Sequence, residues 1–279
     1  MHDQPHLHRQ RTVGRLLLPI LLVAAPLAHA QLGLGLSPMR EEIHLEPGMQ
    51  QSGTLMVSND SAANLRIRAG LVDFFLDAEA TPQFVPNAPK EAPFSCRQWL
   101  SVNPMEWEQG PGTGHPVRFT VRAPAGAGVQ SYHCGIAFTA LAQGSEGRGI
   151  GLRMAVRAVT VLYVFVGNPQ IQGALKAVSL ENAAGSAGTA FQGVVVVENS
   201  GSSVFRPAGE FAVLDEQGKV LETHELAALP VLPKREQRLI VPLEHVNSQG
   251  RYTLRARVDI GTGEIQEGTA VVIARPPGS

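Results

Sequence analysis

The chain has 279 residues, of which 44% are hydrophobic and 17% charged, and its formal net charge at neutral pH is −1. This composition excludes wholesale disorder, because the apolar residues are numerous enough to build sizeable cores. The balanced charge also argues against a nucleic-acid-binding protein, which would carry a basic excess.

The first thirty residues have the layout of a secretory signal peptide. A basic start precedes an apolar run from 16 to 27, and small residues follow at Ala28 and Ala30, where signal peptidase requires them. The alternative, a membrane anchor, is disfavoured because the run is far shorter than the ~20 residues that span a bilayer. We therefore predict a cleavable signal peptide at 1–30, a periplasmic location and no stable membrane insertion, with a cell-surface location left open.

The rest of the chain is predicted to form two β domains. Residues 31–279 exceed the roughly 100–150 residues of a typical domain. Apolar residues mostly alternate with polar ones or form short runs between Gly, Pro, Asn and Asp, a pattern typical of sandwiches. We predict an all-β fold of two immunoglobulin-like antiparallel β-sandwiches in tandem, with domains at 31–167 and 168–279 and a short linker at Gly167-Asn168-Pro169.

In the first domain we predict strands at 41–45, 53–57, 65–76, 96–102, 117–121, 132–141 and 152–166. Val117, Phe119 and Val121 alternate with polar residues, so one face of their strand should be apolar and the other wet. The stretch 82–93 contains four prolines. We therefore predict that this stretch is a surface crossover outside the sheets.

The two cysteines, Cys96 and Cys134, are predicted to form a disulfide, since an exported chain meets an oxidising compartment. A two-cysteine metal site is the alternative, but no Cys-x-x-Cys spacing favours it. Tyr132 follows a glycine-rich turn and precedes Cys134 by two residues, which is the spacing of a tyrosine corner. An ordinary strand tyrosine is the alternative.

The second domain repeats the pattern of the first. We predict its strands at 193–197, 210–215, 220–223, 238–241, 252–258 and 269–273, with a hairpin turn at 215–218. Asn199-Ser200-Gly201 precedes a strand as Asn59-Asp60-Ser61 does in the first domain. Tyr252 likewise follows a glycine, as Tyr132 does.

Several segments, in order, give the sequence a family resemblance. They are Ser37-Pro38-Met39-Arg40, the strand that follows, Pro47-Gly48, the run from Gly53 to Asn59, and the long strand that reaches Tyr163 and Val164. Over about 36–166 this order resembles the N-terminal domain of the periplasmic chaperones that assemble pili in the chaperone–usher pathway. The second domain is more divergent and is placed mainly by its position.

The resemblance implies a carboxylate-binding site. In that family, basic residues on the first and last strands of the first domain point into the inter-domain cleft and hold the C-terminal carboxylate of a pilus subunit. Arg40 matches the first position. Arg157 is the best match for the second, where the family commonly has lysine, and Arg153 is a rival. The alternative for each arginine is a solvated strand residue.

The resemblance also implies strand donation to a subunit that lacks a strand. Ile150, Leu152, Met154 and Val156 form one apolar row after a glycine-rich stretch. Such a strand could pair with an exposed edge of a client, backbone hydrogen bonds giving affinity and side chains giving specificity. The alternative is that this row faces the core of its own domain.

Catalytic motifs are missing from the sequence. There is no Gly-x-Ser-x-Gly, no His-Glu-x-x-His and no phosphate-binding loop. We expect Asp73 to be solvated, and we expect surface or turn positions for the scattered histidines His44, His115, His133, His224 and His245. The sequence thus predicts a protein that is not an enzyme and needs no cofactor or metal.

The function that we predict is that of a periplasmic chaperone-like protein. Its partners would be secreted β-rich pilus or surface subunits and an outer-membrane usher, with no nucleic acid. The alternative is an exported structural or adhesive β-sandwich module without chaperone activity.

Overall fold

The computed structural model describes residues 33–78, 81–142, 155–183, 191–247 and 249–275. The predicted signal peptide at 1–30 lies outside these residues, and so do Ile150, Leu152, Arg153 and Met154.

Strands dominate the first part of the chain. They are β1 (Leu34–Ser37), β2 (Arg40–Leu45), β3 (Gln50–Asn59), β4 (Leu65–Leu76), β5 (Pro82–Val85), β6 (Leu100–Asn103), β7 (Glu106–Gln109), β8 (Gly114–Arg122), β9 (Ser131–Ala142) and β10 (Ala155–Val166). One sheet has the order β1-β3-β8-β6, and the other has the order β2-β10-β9-β4, with β5 and β7 each paired to β4. All of these pairs are antiparallel except β2 with β10, which is parallel.

The core of the first sandwich lies between these two sheets. Val117, Phe119 and Val121 of β8 are buried there, as their alternation predicts. Leu65 and Ile67 of β4 are also buried in this core. Since one face of each sheet is apolar, packing the two faces together removes both from water.

Strands β1 and β2 belong to different sheets, although they are adjacent in the sequence. β1 pairs with β3, and after the cis peptide bond Ser37–Pro38 the chain enters the other sheet as β2. The hydroxyl of Thr160 donates a hydrogen bond to the carbonyl of Pro38 at 2.8 Å. This change of sheet brings Arg40 alongside the last strand of the first sandwich, β10.

The second sandwich has the strands β11 (Gly173–Asn182), β12 (Phe191–Asn199), β13 (Ala208–Leu214), β14 (Val220–Glu225), β15 (Arg235–Leu243), β16 (Arg251–Asp259) and β17 (Ile265–Ile273). Its two sheets have the orders β11-β12-β15 and β14-β13-β16-β17. The residues buried between them, such as Phe211 and Leu239, form a separate core. The predicted fold class, all-β with two immunoglobulin-like β-sandwiches in tandem, is confirmed; the exact domain boundaries stay a prediction.

Equivalent turns recur in the two sandwiches. The side chain of Asn59 accepts a hydrogen bond from the backbone N–H of Ser61 and donates one to the carbonyl of Ala63. Asn199 makes the same contacts with Gly201 and Ser203. Both asparagines are buried, so these hydrogen bonds satisfy groups that would otherwise be costly to remove from water.

Each sandwich also has a tyrosine whose hydroxyl bonds back to the backbone. Tyr132 donates to the carbonyl of Gly128 at 3.2 Å, as the tyrosine-corner spacing predicts. Tyr252 accepts a hydrogen bond from the backbone N–H of Asn247 at 2.9 Å.

The prediction that 82–93 lies outside the sheets is wrong for its first four residues and holds for the rest, which includes a 3-10 helix over Pro89–Phe94. Pro82–Val85 forms β5 and pairs with the end of β4. Proline is tolerated there because it is the first residue of the strand. The prediction of one strand over 96–102 is also wrong in its first half, since a 3-10 turn at Arg97–Trp99 precedes β6.

Candidate functional site

The outer face of β10 is one of the surfaces through which the first sandwich contacts the second. Leu162, Val164 and Val166 point into the core, so the residues between them point outward. Of these, Tyr163 packs with Phe74 of β4 and with Val204 and Leu232 of the second sandwich in a small buried cluster. This cluster joins the two sandwiches through apolar contact.

Hydrogen bonds reinforce this junction. The backbone N–H of Ser131, at the start of β9, donates to the carbonyl of Ser202 at 2.8 Å. The backbone N–H of Val204 donates to the hydroxyl of Ser131 at 2.7 Å. The segment between β12 and β13 is therefore held against the first sandwich, and it carries Arg206.

Arginines from both sandwiches converge on one carboxylate at the junction. Nη1 of Arg206 lies 3.1 Å from Oε1 of Glu42, and Nε of Arg40 lies 3.7 Å from the same oxygen. The guanidinium of Arg206 also lies over the ring of Tyr163, 4.7 Å from its centroid. This geometry combines an ion pair with a cation–π contact.

The hydroxyl of Tyr163 lies within this group. Burial raises the pKa of Tyr163 to about 12, although the nearby Arg206 and Arg40 guanidinium groups act in the opposite direction. Tyr163 is therefore neutral at physiological pH, and the positive charges of the two arginines are not offset by a phenolate.

Arg157 lies on the same face of the sheet as Arg40 but not beside it. The residue of β10 that pairs with Arg40 is Val161. Val161 lies four positions along the strand from Arg157, about 13 Å at a rise of roughly 3.3 Å per residue. Nη1 of Arg157 instead donates to the carbonyl of Phe84 at 3.3 Å.

The structure thus brings Arg206, not Arg157, next to Arg40. Sequence reasoning missed Arg206 and Glu42, because nothing in the local pattern of either segment shows that they meet. Glu42 does alternate with Arg40 on β2, and this is the one local signal that places the two side chains on the same face.

Of the predicted donor row, the described part contains Val156. It is half-buried and pairs with Ala140 of β9. On its other side β10 pairs with β2 from Val161 onward. Among the described residues, no strand pairs with that side of β10 between 155 and 160.

A second feature of the junction is a buried ionic group. Oε1 of Glu91 lies 2.6 Å from Nη2 of Arg235 in the second sandwich, and its Oε2 lies 3.5 Å from Nε2 of His133. His133 is buried between the rings of Phe74 and Phe94. The expectation of a surface or turn position for His133 is therefore wrong, because β9 turns this side chain under the crossover that follows β5.

Asp73 is buried as well, contrary to the expectation that it is solvated. Its carboxylate accepts hydrogen bonds from the backbone N–H of Ala88 and the hydroxyl of Ser95, and it lies 3.4 Å from Nε of Arg97. These contacts fix the crossover between β5 and β6 onto the sheet. The predicted disulfide between Cys96 and Cys134 is present and ties the same crossover to β9.

A cavity of about 590 Å³ opens between this crossover and β15. Its walls comprise Phe75, Leu76, Val85, Asn87, Ala88, Pro89, Lys90, Glu91, Leu232, Arg235, Glu236 and Gln237. The lining residues include apolar side chains and charged side chains of both signs.

The described residues contain no cluster of three or more His, Cys, Asp or Glu side chains that could hold a metal ion. In the same parts of the chain, no helix has the length and apolar character needed to cross a membrane.

Comparisons with known proteins give a likeness of structure only. No family model matches the sequence, and no curated protein matches it. Many solved structures of periplasmic chaperones that act in pilus assembly match most of the chain at 10–16% identity.

Three of these structures illustrate the likeness. The complex of the Salmonella enterica SafA pilin with the SafB chaperone matches at 16% identity over 88% of this chain and 99% of that one, with a TM-score of 0.44. The Acinetobacter baumannii CsuC–CsuE chaperone–subunit complex matches at 10% identity over 87% and 99%, with a TM-score of 0.43. The E. coli chaperone DraB matches at 14% identity over 86% and 98%, with a TM-score of 0.42.

Proposed function

We propose that this protein is a non-enzymatic, periplasmic chaperone-like protein that binds β-rich pilus or surface subunits. Binding would combine donation of a strand with anchoring of a carboxylate in the basic cleft between the sandwiches. The observation that carries the proposal is that cationic side chains gather at the junction of two immunoglobulin-like sandwiches, beside a side of β10 that no described strand pairs with between 155 and 160.

The cations supply the carboxylate-binding chemistry. Arg40 is 58% exposed, so an incoming ligand can reach its guanidinium. Arginine binds carboxylates through charge-assisted hydrogen bonds that can be bidentate, and such bonds are about twice as strong as neutral ones. Arg157, further along the same face, extends the basic surface in the direction of the donor row.

The edge of β10 supplies the backbone groups for strand pairing. A client strand that pairs with this edge of β10 near Val156 would gain backbone hydrogen bonds, while the row Ile150, Leu152 and Met154 would fill the client's apolar groove. Burial of the side chains of Ile150, Leu152, Met154 and Val156 would contribute on the order of 6–10 kcal/mol before ordering costs.

The predicted signal peptide and the disulfide support the proposed compartment. The signal peptide proposed at 1–30 would direct export, and the bond between Cys96 and Cys134 is of a kind that persists in an oxidising compartment. The proposal includes an outer-membrane usher as the recipient of the bound subunit, and domains at 31–167 and 168–279.

Co-purification tests the proposal. The tagged protein is co-expressed in a periplasm with a pilus-like subunit that lacks its last strand, and the bound fraction is measured. We expect recovery with the wild type and at least a tenfold loss in the double variant Arg40→Ala with Arg157→Ala, since a charge-assisted anchor contributes about 1.5–3 kcal/mol.

The matched control is Arg118→Ala, which removes an exposed arginine of β8 on the opposite sheet. Wild-type recovery by the double variant would contradict the carboxylate anchor. A stable monomer that recovers no subunit would contradict the chaperone role and favour a structural or adhesive module.

A further inference from the structure

We propose that Arg40 and Arg206 form a carboxylate site that spans the two sandwiches, and that Glu42 occupies this site as an intramolecular competitor until an external carboxylate arrives. The identity of that external group, the C-terminal carboxylate of a client, rests on the proposed function. The roles of Arg206 and Glu42 rest on the contacts at the junction.

A single oxygen atom defines the site. Oε1 of Glu42 lies 3.1 Å from Nη1 of Arg206 and 3.7 Å from Nε of Arg40, so both cations already face one carboxylate. The contacts of Glu42 therefore show that the two guanidinium groups can bind a carboxylate. Its side chain is 41% exposed, so it can turn away from the site into water when another carboxylate replaces it.

The charges at the site do not cancel. Two arginines and one glutamate leave one positive charge, and Tyr163 is neutral. Among the described residues, neither guanidinium has a second carboxylate within ion-pair distance. His44, which shares the outward face of β2, stacks on Phe165 at 4.6 Å between ring centroids. The remaining positive charge favours the entry of one further anion.

The two arginines differ in how firmly they are held. Arg206 is 20% exposed and lies against the ring of Tyr163, which is buried at the junction. Arg40 is 58% exposed and has Glu42 as its ion-pair partner. The guanidinium of Arg206 is thus held in place before a ligand binds, whereas the side chain of Arg40 can move to meet the ligand. Because the cations come from different sandwiches, a carboxylate bound to both would link the two domains.

Fluorescence anisotropy tests this inference on the full mature protein. The probe is a labelled ten-residue peptide of alternating valine and threonine that ends in tyrosine, made as a free carboxylate and as a C-terminal amide. We expect the wild type to prefer the carboxylate form. Glu42→Gln should tighten binding of that form by about two- to fivefold, the value of an exposed ion pair, and leave the amide form unchanged.

Changes at Arg206 should act in the opposite direction. Arg206→Ala should weaken the carboxylate form at least fivefold and abolish the preference over the amide, while Arg206→Lys should retain part of it because the charge is kept. If Arg206→Ala misfolds, Arg206→Lys and Glu42→Gln still test the inference. Circular dichroism checks that each variant is folded. Glu46→Gln, at an exposed position just after β2, is the matched control for Glu42→Gln.

The outcomes separate this inference from the proposed function. If the wild type prefers the carboxylate but Arg206 and Glu42 variants bind as it does, the two-sandwich site is wrong and the anchor at Arg40 stands. If neither the wild type nor any variant distinguishes the carboxylate form of the peptide from the amide form, the proposed anchoring function itself fails. If sodium acetate and sodium phosphate displace the probe equally at equal ionic strength, the site is a general anion site and the carboxylate specificity is wrong.

Discussion

At the scale of single residues, Glu222 shows how the fold keeps a buried carboxylate ionised. Burial raises the pKa of this carboxyl, but a hydrogen bond with the ring of His224 and two from the backbone N–H groups of Glu244 and His245 outweigh it and hold the pKa below its usual value. A group whose pKa is lower in the folded than in the unfolded chain stabilises the fold above the unfolded pKa. This stabilisation is lost as the pH falls through the folded pKa.

We therefore expect Glu222→Gln to lower the free energy of unfolding by about 1–2 kcal/mol at neutral pH. The difference from the wild type should begin to shrink near about pH 4.3 and vanish as the pH falls through the lower, folded pKa. Urea unfolding across this range measures it. Glu216→Gln, in the exposed hairpin turn before β14, is the control and should show no difference. A difference in unfolding free energy that stays constant on acidification would contradict the lowered pKa of Glu222.

At the scale of elements, the crossover between β5 and β6 contributes an ionic contact to the junction. It carries Glu91, which reaches Arg235 of the second sandwich, and it is fixed to the first by Asp73 and by the disulfide from Cys96 to Cys134. Without these attachments, a proline-rich segment of this length would gain conformational entropy and lose its contact with β15.

We expect the double variant Cys96→Ser with Cys134→Ser to lose about 2–4 kcal/mol of unfolding free energy, since the bond closes a loop with a sequence separation of 38. Urea unfolding with and without dithiothreitol measures the loss. Limited proteolysis should then cut first within the crossover. Dithiothreitol should destabilise the wild type and leave the double variant unchanged. Equal stability of oxidised and reduced wild type would refute the prediction.

At the scale of the whole molecule, residues 31–279 form one compact unit. The buried cluster of Phe74, Tyr163, Val204 and Leu232 gives the two sandwiches a common apolar contact. Such a contact couples the unfolding of two domains, because separating them exposes apolar surface to water.

We expect Leu232→Asp to uncouple the two sandwiches, since it places a charge in that contact. Differential scanning calorimetry should show a single transition for the wild type and two for the variant. Val271→Asp, on the exposed side of β17, is the control and should keep the single transition. Two transitions already in the wild type would mean that the junction does not couple the sandwiches.

The sequence alone determined the features that depend on near neighbours along the chain. The alternation of Val117, Phe119 and Val121 predicts both the strand and its buried face, because successive side chains of a strand point to opposite sides. The repeated turns at Asn59 and Asn199 also have a local signal in the sequence, since the hydrogen bonds that form the turns, to Ala63 and Ser203, span four residues.

Only the tertiary structure decided which groups meet at the junction. Glu42 and Arg206 are 164 residues apart in the sequence, and no periodicity relates positions so distant. The burial of Asp73 and His133 could not be predicted from the sequence either, because it depends on a crossover that folds back over the sheet. A strand pattern fixes the faces of its own strand, whereas the neighbours of each face are set by the packing of whole sheets and their connections. The contact of Arg206 with Arg40's partner, Glu42, is a property of that packing.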